Sequence, residues 1–119
     1  MQGYESIFIF DPNTTEEAQK EFLAKCKEAV EGNGGALVRQ SLWGRRRLAY
    51  RVKKREYGIY HLLYLDRTPA ALTELERLFK FNEDVLKWYT VGVEDLDGEF
   101  AKFENLRDSG SAAQSLGDR

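Results

Sequence analysis

A chain of 119 residues, 42% hydrophobic and 32% charged, has room for one modest core and excludes a large multidomain enzyme. No window approaches the ~20 apolar residues of a membrane helix, and MQGYESIFIF has no basic stretch before its apolar run, so no signal peptide is expected. A single cysteine excludes an internal disulfide and fits a reducing cytoplasm, and a net charge of −2 argues against a general polycation.

Residues 4–10, YESIFIF, are aromatic and β-branched, end at Asp11-Pro12, and read as a first strand. Phe8 and Phe10 alternate with Ile7 and Ile9, so both faces are apolar and the strand belongs in the centre of a sheet. Thr14 with Glu17 makes a capping box, after which Ala18, Phe22, Cys26 and Val30 recur every four residues along a helix. That helix ends at Gly32-Asn33-Gly34-Gly35. Two extended segments follow, 36–53 and 57–66, joined through Lys54-Arg55-Glu56 as a long hairpin. Thr68-Pro69 opens a second helix with Leu72, Leu75 and Phe79 on its apolar face and Asn82 as a left-handed terminator. A last strand runs from Val85 to Val93. The order β-α-β-β-α-β predicts a ferredoxin-like α+β fold, a four-stranded antiparallel sheet with two helices on one face. Strands one and three carry large apolar residues on both faces, Tyr4, Phe8, Tyr60 and Tyr64 among them, which points to a cover over part of the second face. The domain is expected over 1–95. Residues 96–119 form an extension, with a weak apolar stripe at Leu96, Phe100, Phe103 and Leu106 and a disordered Gly/Ser/Ala end.

The charge is unevenly spread. Residues 39–55, RQSLWGRRRLAYRVKKR, contain eight basic side chains and no acidic one, and the other 102 residues carry 10 basic against 20 acidic, a net of −10. Arginines interleaved with Trp43 and Tyr50 suit a phosphate-rich partner, because guanidinium groups grip phosphate and flat rings accept bases. The plainer use of such charges is to protect an edge strand from aggregation, but the aromatics and the missing acidic alternation favour RNA or another polyanion. In an extended strand Arg45, Arg47, Arg51 and Lys53 share one face; Arg46 falls on the other with Leu48, Tyr50 and Val52, read as the packed side. Arg45 and Arg47 are then about 6.5–7 Å apart, near the spacing of successive phosphates. Gly44 interrupts the strand and marks a candidate bulge.

No catalytic constellation appears. Cys26 sits on a helix's apolar stripe, and His61 alternates with Ile59, Leu63 and Leu65, so both read as packing groups. No His, Cys and carboxylate residues cluster as metal ligands, no cofactor loop is present, and Gly32–Gly35 lacks the Lys-Ser/Thr of a phosphate cradle. Glu83-Asp84 fits a turn better than a paired-carboxylate site.

Tyr4-Glu5, Trp43-Gly44-Arg45-Arg46-Arg47-Leu48-Ala49-Tyr50 and Phe81-Asn82-Glu83-Asp84-Val85, in that order and in one register over 4–93, resemble the bacterial small-subunit ribosomal protein six family. The resemblance implies a non-enzymatic, cytoplasmic component of the small ribosomal subunit. It would bind small-subunit ribosomal RNA beside small-subunit ribosomal protein eighteen, with Arg46, Arg47 and Tyr50 as RNA or partner contacts. The expected RNA set adds Arg45, Arg51, Lys53 and Lys54, and the expected protein-facing set is Trp43, Tyr4, Tyr60, Phe100 and Phe103. Arg51 stands where the family usually has proline, Gln2 where it is often basic, and the chain ends Gly117-Asp118-Arg119 rather than in glutamates. The rival reading is a free-standing RRM-like module stacking bases on Tyr4, Phe8, Tyr60 and Tyr64, although Glu56-Tyr57-Gly58-Ile59-Tyr60 does not fit that class's third-strand signature. An acylphosphatase-like enzyme would need a cationic phosphate loop where Asp11-Pro12-Asn13 stands.

Overall fold

The structure, a computed structural model, describes residues 1–98. Strand β1 (Gly3–Phe10), helix α1 (Glu16–Gly32), strands β2 (Leu37–Val52) and β3 (Arg55–Asp66), helix α2 (Pro69–Phe81) and strand β4 (Val85–Val93) follow in order. The strands make one antiparallel sheet, β2-β3-β1-β4, with β1 and β3 in the middle. This is the ferredoxin-like arrangement that the sequence predicts.

β1 is central because neither of its faces tolerates water. Phe8 and Phe10 turn toward the helices, where they pack with Phe22, Cys26 and Val30 of α1 and Ala71, Leu75 and Phe79 of α2. Phe8 is the hub: its ring lies 5.3 Å from Phe10, 5.7 Å from Phe22, 4.7 Å from Phe79 and 5.2 Å from His61. Ile7 and Ile9 turn the other way and join Trp43, Leu48, Tyr60, Leu62, Tyr64, Leu86, Val93 and Leu96 in a second buried cluster. Leu96 is fully buried and its N–H donates to the Met1 carbonyl at 2.8 Å, so packing continues through that residue. Phe100, Phe103 and the tail expected to be disordered lie outside the described residues.

Four local expectations change. The α1 N-cap is Thr15, not Thr14, its hydroxyl accepting from the Ala18 N–H at 3.1 Å. The Asp11 turn captures Thr14 first, since the Thr14 N–H donates to the Asp11 carbonyl at 3.0 Å. Gln19 rather than Ala18 therefore starts the buried stripe. On α2 the buried face is Ala71, Leu75 and Phe79, with Leu72 half-buried beside it. Asn82 has φ −92 and is not left-handed; its side-chain oxygen instead accepts from the Asp84 N–H at 2.8 Å, a local turn that sets the start of β4.

Candidate nucleic-acid interface

β1 pairs with β3 only as far as Phe10 opposite Ile59. Past that point the β2–β3 hairpin continues with no third strand paired to it among the described residues, and this arm, 45–58, carries seven basic side chains and one acidic one. Its base is fitted tightly to the sheet: a Cβ on Gly58 would overlap the Ile9 side chain.

The bulge expected at Gly44 is present. Leu42 opposes His61 and Gly44 opposes Tyr60, leaving Trp43 as the extra residue, and Gly44 has φ +86. One inserted residue inverts the alternation. Before it, Arg39 and Ser41 stand opposite Tyr64 and Leu62 on the helix-free face; after it, Arg45 and Arg47 stand opposite Ile59 and Tyr57 on the helix side, and Arg46 opposite Gly58 on the other. Arg45 and Arg47 thus share a face, as the alternation predicts.

A second irregularity follows. The next pair after Arg47 and Tyr57 is Val52 with Arg55, so Leu48 to Arg51 face Glu56 alone. Leu48 and Val52 join the helix-free cluster, but Tyr50, expected on the packed side, is 54% exposed because the strand bows there. The arm curls far enough for Tyr50 to meet β4: the Lys87 ammonium sits 4.3 Å from the Tyr50 ring centre and 5.2 Å from that of Tyr89. Lys87 lies outside the basic segment, and nothing in linear order joins it to Tyr50; only the curl of the arm does.

The hairpin closes at Lys53-Lys54, one residue earlier than expected, with φ +50 and +67. This is a two-residue turn with both central residues left-handed, a conformation that costs a side-chain-bearing residue of order 1–2 kcal/mol. Two ion pairs brace it. Arg51 reaches Glu56 at 3.2 Å and Arg55 reaches Asp11 at 2.8 Å. Burial opposes ionisation of Asp11, but the Asn13 N–H and the Arg55 guanidinium together outweigh it and hold the carboxyl below its usual range. Arg45 lies 4.8 Å over the Tyr57 ring, and Arg46 folds back to donate to the Arg45 carbonyl at 2.9 Å. Among the described residues, Arg47, Lys53 and Lys54 make no ion pair or side-chain hydrogen bond. The expected RNA set is therefore together on one arm, but on two of its faces, with Arg51 already engaged by a carboxylate.

The three described members of the expected protein-facing set are dispersed. Tyr4 lies on the helix side beneath the Arg67 guanidinium at 5.2 Å, while Trp43 and Tyr60 are buried in the opposite cluster. Arg67 also donates to the Gly3 and Val93 carbonyls, tying strand ends together at the far end of the sheet from the arm. The same geometry removes the base-stacking platform of the RRM-like reading: Phe8 and Tyr4 face one way, Tyr60 and Tyr64 the other, and Phe8, Tyr60 and Tyr64 are each no more than 1% exposed.

Neither reactive side chain offers chemistry. Burial pushes the Cys26 thiol up to about 12 and the His61 imidazole down to about 4. Neutral His61 donates to Gln19 Oε1 at 2.9 Å, and Gln19 in turn donates to the Thr14 carbonyl at 3.0 Å. This pair floors a cleft of about 400 Å³ between α1 and β2, beside Leu23 and Leu42. Among the described residues, no group of three His, Cys, Asp or Glu is placed to hold a metal.

The model of the family ribosomal protein S6 matches residues 3–92. The chain belongs to the ribosomal protein S6 family. Small ribosomal subunit protein bS6 of Granulibacter bethesdensis is 42% identical over 97 residues, 82% of this chain and 63% of the relative, so the chain spans less than two thirds of that protein's length. Small ribosomal subunit protein bS6 of a Methylobacterium species is 35% identical over 108 residues, 91% of this chain and 81% of the relative. The crystal structure of 30S ribosomal protein S6 from Thermotoga maritima superposes with a TM-score of 0.73 at 29% identity, covering 87% of this chain and 97% of that one. Membership of the S6 family makes the chain a ribosomal protein, structural and non-enzymatic.

Proposed function

We propose that this S6-family chain is a structural constituent of the small ribosomal subunit in the cytoplasm, binding small-subunit ribosomal RNA through the 45–58 arm, together with small-subunit ribosomal protein eighteen. The observation that carries the reading is the arm itself: seven cations on a two-stranded projection from a body whose remaining charge is strongly negative. Such a body repels RNA everywhere except where the arm docks, which enforces one orientation. Arg45 and Arg47 supply a paired phosphate contact on one face, while Tyr50 with Lys87 supplies a ring and a cation on the other. One arm on an acidic body gives weak binding alone at ~0.15 M salt. A second protein that adds positive charge converts weak binding to tight binding.

The test is a salt titration of binding to transcribed small-subunit ribosomal RNA, with and without protein eighteen. Replacing both Arg45 and Arg47 with Gln should flatten the slope of log affinity against log salt by about 0.7–0.9 per lost phosphate contact, and protein eighteen should tighten binding by the wild-type chain. An unchanged slope leaves these arginines as edge protection only. Tight, sequence-selective binding by the chain alone removes the need for the partner.

A further inference from the structure

The left-handed backbone of this chain is placed with a consistent economy, broken at one point. Among the described residues, four have clearly positive φ: Gly34 at +83, Gly44 at +86, and Lys53 and Lys54 at +50 and +67. Where the helix end and the bulge need this conformation, the sequence supplies glycine, which adopts it without a Cβ clash. At the tip of the arm it supplies two consecutive lysines, although Asn-Gly closes the same two-residue turn with far less strain. The side chains give no local compensation, since neither lysine has a carboxylate or hydrogen-bond partner among the described residues. Their neighbours do: Arg51 is paired to Glu56 and Arg55 to Asp11, so an ion pair flanks the turn on each side while its own charges stay unengaged.

We propose that the Lys53-Lys54 turn is a phosphate-bridging tip, whose two ammonium groups contact phosphates on two approaching stretches of a folded RNA backbone, and that the strained turn is kept because it holds two cations at that point. The inference rests on the reading that RNA is the arm's partner. Lysine suits such a tip because a compact charge on a flexible stem engages phosphate as a point charge and does not read base edges. The narrow major groove of A-form RNA brings two phosphate backbones close together, and the end of a ribbon can reach both where its broad face meets only one.

Two double variants of the full chain separate strain from charge, with transcribed small-subunit ribosomal RNA as the probe. Lys53→Asn with Lys54→Gly relieves the backbone and removes the charge. It should raise the melting temperature by about 4–8 °C and flatten the log-affinity against log-salt slope by about 0.7–0.9 for each of the two contacts. Lys53→Gln with Lys54→Gln keeps the strain and removes only the charge. It should flatten the slope equally while melting close to wild type. A wild-type slope in the Gln pair, or no gain in melting temperature in the Asn-Gly pair, overturns the proposal. If the Arg45/Arg47 double variant flattens the slope and the Lys53/Lys54 Gln pair does not, the tip fails and the RNA reading stands; if neither does, the RNA reading fails as well.

Discussion

The molecule divides into a body and an arm that obey opposite rules. In the body, Phe8 is fully buried among Phe10, Phe22, Phe79 and His61, and every left-handed turn among the described residues uses glycine. In the arm, seven cations stand within fourteen residues, Tyr50 is more than half exposed, and two lysines occupy left-handed backbone. The body gains stability from apolar burial. The arm sacrifices local stability for charge density, and it holds its shape through its base at Leu48 and Gly58 and through two ion pairs. Apolar burial and exposed charge are therefore physically separated along the hairpin, and substitutions in the two regions should read out differently.

The sharpest way to break this division is at its hub. Phe8→Ala should destabilise the domain by about 3–5 kcal/mol, because it removes a ring contacting four others and leaves a cavity that rigid strands cannot close. Against a typical 5–15 kcal/mol, that leaves the fold marginal. Urea unfolding measures it, and a loss below about 1 kcal/mol means the Phe8 cluster is not the stabilising centre.

A smaller effect tests the body through acid. His61 has a folded pKa of about 4 against an ordinary 6.5, so the unfolded chain binds the proton more readily between those values. The stability from keeping His61 neutral is present above pH 6.5 and is lost as pH falls through 4, a loss approaching about 3 kcal/mol. Asp11 acts lower: its depressed carboxyl stabilises above about 3.8 and that contribution fades only beneath this window. His61→Gln should flatten the profile between pH 6.5 and 4, and an unchanged acid loss in the variant would assign it to other groups.

The smallest effect lies where body meets arm. Gly44→Ala forces a side chain into φ +86 and should cost about 1 kcal/mol. Space is not the obstacle, since a Cβ there meets only the Arg46 guanidinium at 3.9 Å. Because the bulge sets which face Arg45, Arg46 and Arg47 occupy, RNA binding should fall by more than this loss of stability accounts for. Equal losses in both would reduce Gly44 to a stability element.

Much of this was legible in linear order. Alternating Phe and Ile in YESIFIF predicts a strand buried on both sides, and four-residue spacing from Phe22 to Val30 predicts the helix face, since these periods follow from strand and helix geometry alone. The basic segment, its aromatics and the Gly44 bulge are equally plain, and local motifs sufficed to name the family. What failed was fine register. Two adjacent threonines compete for one cap, Asn82 serves a turn rather than a left-handed end, and the hairpin closes at Lys53-Lys54 where lysine gives no turn signal.

Only the tertiary structure could decide the rest. Alternation states which residues share a face, but the bulge at Gly44 inverts it, and whether Tyr50 is packed or exposed depends on how the strand bows afterwards. Lys87 joins Tyr50 because the arm curls across the sheet, and Arg51 and Arg55 lose their freedom to Glu56 and Asp11 because folding brings those carboxylates within reach. Sequence sets composition, period and charge, which are local quantities. Pairing, curvature and the partner each charge finds are long-range, and they exist only once the chain has closed on itself.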